Sequence, residues 1–225
     1  SLGAPKNKVN FTVPTGNFGD IFAGYVAKKM GLPIEKLIIA TNQNDILHRV
    51  LESGIYKIEK VKPSISPSMD IQVSSNFERA LFDIYGQNSE LVCELMHSLK
   101  STKEFELSSV KTKMLQDVFE SGTSSEEETS ATIHSIYQDT GMLLCPHSAI
   151  GVKVALEKNK EQDIPMIILA TAAAAKFPDA VKSACGVPPK LPDNMSDLFK
   201  RAERLTKVPN NVDEIKAIIS KGINI

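Results

Sequence analysis

Thr12 to Ala27 read TVPTGNFGDIFAGYVA, and this stretch decides the fold. The run Val9, Phe11, Val13 ahead of it is apolar and partly β-branched, which predicts a buried strand ending at Pro14. A short loop follows, Thr15-Gly16-Asn17-Phe18-Gly19-Asp20. Phe18, Ile21, Phe22, Tyr25, Val26 and Met30 then recur at helical spacing up to the stop signals Gly31 and Pro33. Strand, glycine loop and helix start is an arrangement suited to an anion. The first amides of a helix lack internal partners, and the helix dipole favours negative charge there. Gly16 and Gly19 are expected to let the backbone turn tightly and approach a phosphate. The glycine spacing is too short for a nucleotide P-loop, no Lys-Ser/Thr follows the second glycine, and the dinucleotide fingerprint does not fit. On these residues alone the loop is either an anion cradle or an ordinary β-α turn.

Outward from this stretch, Lys36 to Thr41 (KLIIAT) is a second short apolar run. It ends in Asn42-Gln43-Asn44-Asp45, where Asn44 or Asp45 can cap a helix running through Leu51 to Gly54. Strand, helix and strand with short links predict a right-handed βαβ unit and a parallel sheet. Ligands of such sheets sit at the carboxyl ends of the strands, here the loops 14–20 and 41–45. Ile164 to Thr171 is apolar throughout, as a central parallel strand is, and also ends in a small polar residue.

Between these runs, residues 55–75 carry Pro63, Pro67 and a cluster of serines and read as a long loop, functional or mobile. Ser75-Asn76 is expected to cap a helix from Phe77 to Tyr85. Arg79 lies in its first turn, unfavourable against the dipole; it marks either a nearby anion or a plain surface arginine. Ser89 to Ser121 reads as helical, with apolar faces Leu91, Val92, Leu95, Met96, Leu99 and Val110, Met114, Leu115, Val118, Phe119. Ser124 or Ser125 with Glu127 or Glu128 predicts a capping box for a helix through Tyr137, so Glu126 to Glu128 form a solvated helix start, not a metal site. Asp139-Thr140-Gly141 breaks that helix. Cys145-Pro146-His147-Ser148 opens another, with Pro146 suited to the first turn. His147 there is an acid, a base, a ligand group or a structural histidine. Pro188, Pro189 and Pro192 mark a linker. Two capped tail helices follow, one from Asn194 or Ser196 through Leu205, the other from Asn210 or Asn211 with Ile215, Ile218 and Ile219 apolar. Metal-ligand spacing is absent throughout.

Across 225 residues the hydrophobic content of 42% is ample for a core. A net charge of −1 and an isoelectric point near 6.4 argue against a nucleic-acid or anionic-membrane surface. Cys93, Cys145 and Cys185, scattered and odd in number, fit reduced thiols in a cytoplasmic compartment. No apolar run is long enough to span a bilayer, and the first six residues are no signal peptide. They read as a linker entering the first strand, so the chain is expected to be a fragment that begins in the middle of a fold.

Several of these segments, in order, resemble threonine synthase of the longer fungal and bacterial type, a group that also includes threonine synthase-like proteins. The carrying residues are Val13 to Asp20 (VPTGNFGD), Ala40 to Asp45 (ATNQND) and Ser68 to Ile71 (SMDI) with Ser75 to Arg79 (SNFER). Cys145 to Ala149 (CPHSA) and Ala170-Thr171 with Ala175-Lys176-Phe177 follow in the family's order. The resemblance spans roughly Phe11 to Val181. It implies an α/β fold of tryptophan-synthase-β type (fold type II), a parallel twisted sheet flanked by helices. Residues 1–187 would form the C-terminal part of the pyridoxal 5'-phosphate (PLP) domain, with a helical insertion at about 76–140, and 188–225 a helical tail. It implies a carbon–oxygen lyase of threonine biosynthesis acting on phosphates, converting O-phosphohomoserine and water to threonine and phosphate. Gly16, Asn17, Phe18, Gly19 and Asp20 would cradle the cofactor phosphate and Thr171 would face the pyridine nitrogen. Asn76, Arg79, His147 and Lys176 would lie near the substrate phosphate or a closing lid.

Two departures qualify what the resemblance implies. The family commonly reads Thr-Ala-His-Pro-Ala-Lys-Phe where this chain has Thr171-Ala172-Ala173-Ala174-Ala175-Lys176-Phe177. That bears on the geometry around Thr171 and leaves a second reading: a threonine synthase-like protein that binds phosphate esters without catalysis, or a lyase for related phosphorylated hydroxy amino acids. The family's Schiff-base lysine lies in an N-terminal half with no counterpart here. The chain is therefore expected to hold no catalytic lysine of its own, to be inactive alone, and to depend on the missing N-terminal part of the same enzyme.

Overall fold

A computed structural model describes residues 6–159 and 163–223; the opening residues read above as a linker lie almost wholly outside them. The chain divides into two compact units, Ser1–Lys190 and Leu191–Ile225.

The first unit begins with β1 (Val9–Pro14), α1 (Gly19–Lys29), β2 (Ile34–Thr41) and α2 (Ile46–Ser53). A small antiparallel ribbon joins β3 (Ile55–Lys57) to β4 (Glu104–Glu106) across α3 (Phe77–Ile84) and α4 (Ser89–Thr102). Then come α5 (Ser109–Val118), β5 (Phe119–Thr123), α6 (Glu126–Thr140), α7 (Pro146–Lys158), β6 (Met166–Ile168) and α8 (Pro178–Cys185). The sheet has the order β5-β2-β1-β6 and every pairing is parallel. The expected βαβ unit and α/β class are therefore present.

Side chains alternate across a strand, so β2 feeds two cores. Leu37 and Ile39 join Phe18, Ile21, Leu47, Val50, Leu81 and Leu115 beneath α1, α2, α3 and α5. Ile38 and Ala40 pack with Met69, Ile150 and Val154 beneath α7. α7 sits very close to the sheet. A Cβ on Gly151 would stand 3.0 Å from Pro14 Cγ, and one on Gly122 would stand 2.8 Å from Val154 Cγ1. This contact fixes where the first turn of α7 lies.

Three expectations are corrected. Ser89–Ser121 is not one helical stretch, because Phe119–Thr123 pairs with β2 as a sheet strand. The apolar Phe119 read as a helix face is instead a strand residue under α1, 5.4 Å from the Phe18 ring. Residues 55–75 are not all loop: Ile55–Lys57 is a strand, and the loop beyond it is tied by polar side chains. Asp70 accepts from Ser64 N, Ser64 Oγ, Asn42 Nδ2 and Asn44 Nδ2 at 2.6–3.0 Å. Asn44 is spent in that knot, and Asp45, at the start of α2, pairs with Arg49 at 2.9 Å. The strand after Ile164 shrinks to Met166–Ile168. The capping box is present as read, with Ser125 and Glu128.

The second unit holds two short 3-10 turns, Asp193–Met195 and Leu198–Lys200, where a helix through Leu205 was expected. It then forms α9 (Val212–Ile223), whose first amides donate to Asn211 Oδ1.

Candidate cofactor site

β1 is flanked by β2 on one side and β6 on the other, so the chain leaves neighbouring strand ends in opposite senses. Open parallel sheets bind ligands at such a divide. A cleft of about 390 Å3 lies there, lined by Pro14 to Asp20, Ser68, Met69, Asn76, His147, Thr171, Ala172, Lys176 and Phe177. The loop after β1 and Thr171, three residues past β6, read separately from the sequence, thus face one cleft.

The loop is shaped from behind. Its carbonyls are taken by the segment after the Asp70 knot: Ser74 Oγ donates to Gly16 O at 2.9 Å, and Asn76 Nδ2 donates to Asn17 O at 2.9 Å. Ser75 N and Oγ donate to Asn17 Oδ1 at 2.6 and 2.8 Å. Ser74 is itself placed by Tyr56 on β3, whose hydroxyl accepts the Ser74 amide at 2.8 Å and whose ring stacks on Phe77 and Phe105. Burial pushes the Tyr56 hydroxyl up to about 12, so it stays a phenol. With its carbonyls engaged, the loop leaves the amides of Gly16 to Asp20 without a protein acceptor among the described residues. Five amides at a helix start are the donor set an anion needs.

The conformational roles in this loop differ from the expectation. Neither Gly16 nor Gly19 is left-handed; the residue that is, Phe18 at φ 65°, caps α1. Gly16 is required by space, since a Cβ there would meet Ser68 O at 2.7 Å. Phe18 is 1% exposed and packs edge-on to Phe77 at 5.3 Å, so it lines the loop from the core side. Asp20 brings an amide to the cradle, but its own carboxylate is exposed and repels an anion.

Across the cleft stands the start of α7. Cys145 is its N-cap, and Cys145 Sγ accepts from Ser148 N at 3.4 Å. The Thr171 amide donates to Ser148 Oγ at 3.2 Å, which ties the end of β6 to α7. Burial pushes the Cys145 thiol up, but His147, the Ser148 hydroxyl and amide and Thr171 together outweigh it and hold it down to about 6. The His147 ring is 5% exposed, and among the described residues neither nitrogen meets a partner in hydrogen-bond geometry. Phe177 covers it at 4.7 Å between ring centres. A buried imidazole with both nitrogens unpaired costs free energy unless a ligand supplies the partner. Lys176 is exposed at the rim. Residues 174–176 keep a 3-10 turn even with alanines at 173 and 174, closed by Lys176 N to Ala173 O and Phe177 N to Ala174 O.

Of the sequence-derived residues, Gly16, Asn17, Phe18, Gly19, Asp20, Thr171, Asn76, His147 and Lys176 all line this cleft. Arg79 does not. It lies on the exposed side of α3 in a separate apolar depression with Phe22, Tyr25, Val26 and Phe82. The reason is helical phase: Asn76 and Phe77 face the loop and core, and Arg79 is two residues on, rotated about 200° from Phe77. Sequence reasoning missed Ser68, Met69, Ala172 and Phe177 as lining residues, and Tyr56 and Ser74 as supports. Ser68-Met69 carried a signal within the SMDI segment, and Phe177 within the Ala175-Lys176-Phe177 segment.

Comparison with known proteins agrees with the geometry. Residues 148–219 match the family model described as threonine synthase, C-terminal. The chain is 48% identical over 224 residues to the threonine synthase of Pseudomonas aeruginosa, covering 99% of this chain and 48% of that protein. It superposes with TM-score 0.91 on the crystal structure of PLP-bound threonine synthase from Brucella melitensis, at 55% identity, covering 98% of this chain and 47% of that one. For the yeast threonine synthase the TM-score is 0.86 at 38% identity, covering 100% and 49%. The chain thus spans about half the length of the relatives it matches. The resemblance read from the sequence is borne out: in sequence and in fold this chain matches threonine synthases.

Proposed function

We propose that the chain forms the C-terminal, phosphate-holding part of a cytoplasmic threonine synthase, which converts O-phosphohomoserine and water to L-threonine and phosphate with PLP. The observation that carries this reading is the joint cleft: five amides at residues 16–20, unpaired among the described residues, share it with Thr171. The donors fit a phosphate monoester, and the close approach at Gly16 leaves no room for a side chain beneath it. PLP supplies an electron sink for charge that develops on the substrate carbon. This chain's residues would bind and orient. Gly16 to Asp20 would hold the cofactor phosphate through their amides. Asn76 locks the loop by its bond to Asn17 O and completes the wall. Thr171 would face the ring nitrogen. His147, with both nitrogens free, and Lys176 at the rim hold the substrate phosphate, with His147 able to carry a proton to the leaving group. Phe177 keeps water from the imidazole. The reaction's lysine comes from the part of the enzyme outside this chain.

The test uses the natural protein that contains this chain at the length of its relatives. With PLP and O-phosphohomoserine it should release threonine and inorganic phosphate in equal amounts, and His147→Ala should lower that rate by two to three orders of magnitude, as loss of a positioned acid or anchor does (about 10²–10⁴-fold). Cofactor binding without phosphate release would instead favour the second reading. The alanine run at 172–175 is what gives that reading weight.

A further inference from the structure

We propose that the Tyr56 hydroxyl is a positioning group for the anion cradle: through Ser74 it sets the tilt of the Gly16–Asn17 peptide, and with it the aim of the Asn17 amide. The identity of the anion rests on the phosphate reading above; the hydrogen-bond chain behind the cradle does not.

Each link of that chain has a fixed donor. The Ser74 backbone amide donates to the Tyr56 hydroxyl oxygen at 2.8 Å. The Ser74 hydroxyl donates to the Gly16 carbonyl at 2.9 Å, since a carbonyl has no proton to give. A trans peptide unit is planar, and its N–H points opposite to its C=O. Drawing the Gly16 carbonyl back onto Ser74 therefore turns the Asn17 N–H the other way, and Asn17 lines the cleft. A peptide released from Ser74 is free to turn, and would then show an anion the negative end of its dipole. Successive amides hold an anion only while they converge on one side. The next peptide is tied separately, with Asn76 N at 3.2 Å and Asn76 Nδ2 at 2.9 Å from Asn17 O. Loss of the Tyr56 hydroxyl should therefore weaken the cradle without abolishing it.

Ser74 is held by this hydroxyl and not by close packing. A cavity of about 130 Å3 lies against residues 73–75, lined also by Tyr56, Phe77 and Phe105, and Val73 is 49% exposed. The Tyr56 ring is the fixed point. It is 2% exposed and stacks nearly parallel to Phe77 at 5.5 Å and to Phe105, its cross-strand partner, at 4.9 Å. Among the described residues, none of β3 or β4 lines the cleft. The ribbon thus acts on the cradle at one remove, through a rigid phenol.

The experiment uses the natural protein that contains this chain at the length of its relatives, prepared free of cofactor. Titration calorimetry measures its affinity for pyridoxine 5'-phosphate and for inorganic phosphate. Tyr56→Phe keeps the ring stack and removes only the hydroxyl. It should weaken binding of both ligands about fivefold, the effect of one neutral hydrogen bond. Ser74→Ala should weaken them by as much. In a Ser74→Ala background, Tyr56→Phe should add less than about twofold, because the two residues act in series. Far-UV circular dichroism checks each variant's fold. If Tyr56→Phe does not fold, the test is loss of affinity in Ser74→Ala and its recovery in Ser74→Thr, which keeps the hydroxyl. Unchanged affinity in these variants, or an equal loss from Tyr56→Phe in either background, overturns the proposal. If inorganic phosphate shows the coupled pattern and pyridoxine 5'-phosphate does not bind, the role of Tyr56 stands and the cofactor reading falls. If the wild type binds neither, both fall.

Discussion

Phe18 holds the left-handed backbone that lets the loop turn from β1 into α1, and it does so with a full aromatic side chain. Glycine would relieve that conformation, worth about 1–2 kcal/mol for an L-residue. It would also empty a buried site in contact with Phe77 and Phe119, at a cost of about 3–5 kcal/mol. Packing wins, so Phe18→Gly should destabilise the protein by about 2 kcal/mol in urea denaturation. A stabilised Phe18→Gly would show that strain dominates. Gly16→Ala acts through space: its Cβ must push back the Ser68 carbonyl, as overpacking does at about 1–3 kcal/mol. It should also misplace the amides that the anion needs. Cys145 makes stability depend on pH. Its folded value, about 6, lies below the ordinary 9.0, so its contribution is complete above pH 9 and is lost as pH falls through 6. The stability difference between wild type and Cys145→Ser should therefore widen from pH 6 to pH 9 and be flat below pH 5.

At the level of elements, the site depends on two devices that hold loops still. One is the approach of α7 to the sheet over Gly151 and Gly122, which sets Cys145, His147 and Ser148 opposite Thr171. The other is the knot of Asn42, Asn44, Ser64 and Asp70 that presents residues 68–76 to the β1–α1 loop. Asp70→Ala would remove the acceptor that four donors share. The Asn42 and Asn44 amides and the Ser64 hydroxyl keep other partners, but the Ser64 amide loses its acceptor, and the change should cost about 1–3 kcal/mol. Its sharper readout is limited proteolysis: cleavage within 58–76 should appear in the variant and be absent from the wild type. The knot was invisible in the sequence, since serines and prolines without periodicity look the same whether loose or tied. β5 was hidden for another reason. Phe119 falls in helical phase with Leu115 and Val118, and only its pairing to β2 makes it a strand. By contrast, β1, β2 and the capping box of α6 were legible because local period and cap chemistry alone specify them.

For the molecule as a whole, the cleft at the β1–β6 divide was legible as two separate strand ends. What joined them was topology, because β6 lies beside β1 and 154 residues separate Thr12 from its neighbour Met166. The order of motifs carried the rest: nine of the ten named residues line this one cleft, and Arg79 lies in a separate depression. The central claim is that this cleft binds a pyridine through its phosphate. Titration calorimetry of the 225-residue chain with pyridoxine 5'-phosphate, which lacks the aldehyde and so cannot label surface lysines, tests it most directly. The account predicts one site per chain, binding at least about tenfold weaker for unphosphorylated pyridoxine (about 1.4 kcal/mol), and loss of the preference in Gly16→Ala. Equal binding of the phosphorylated and unphosphorylated compounds, or no binding of either, would contradict it.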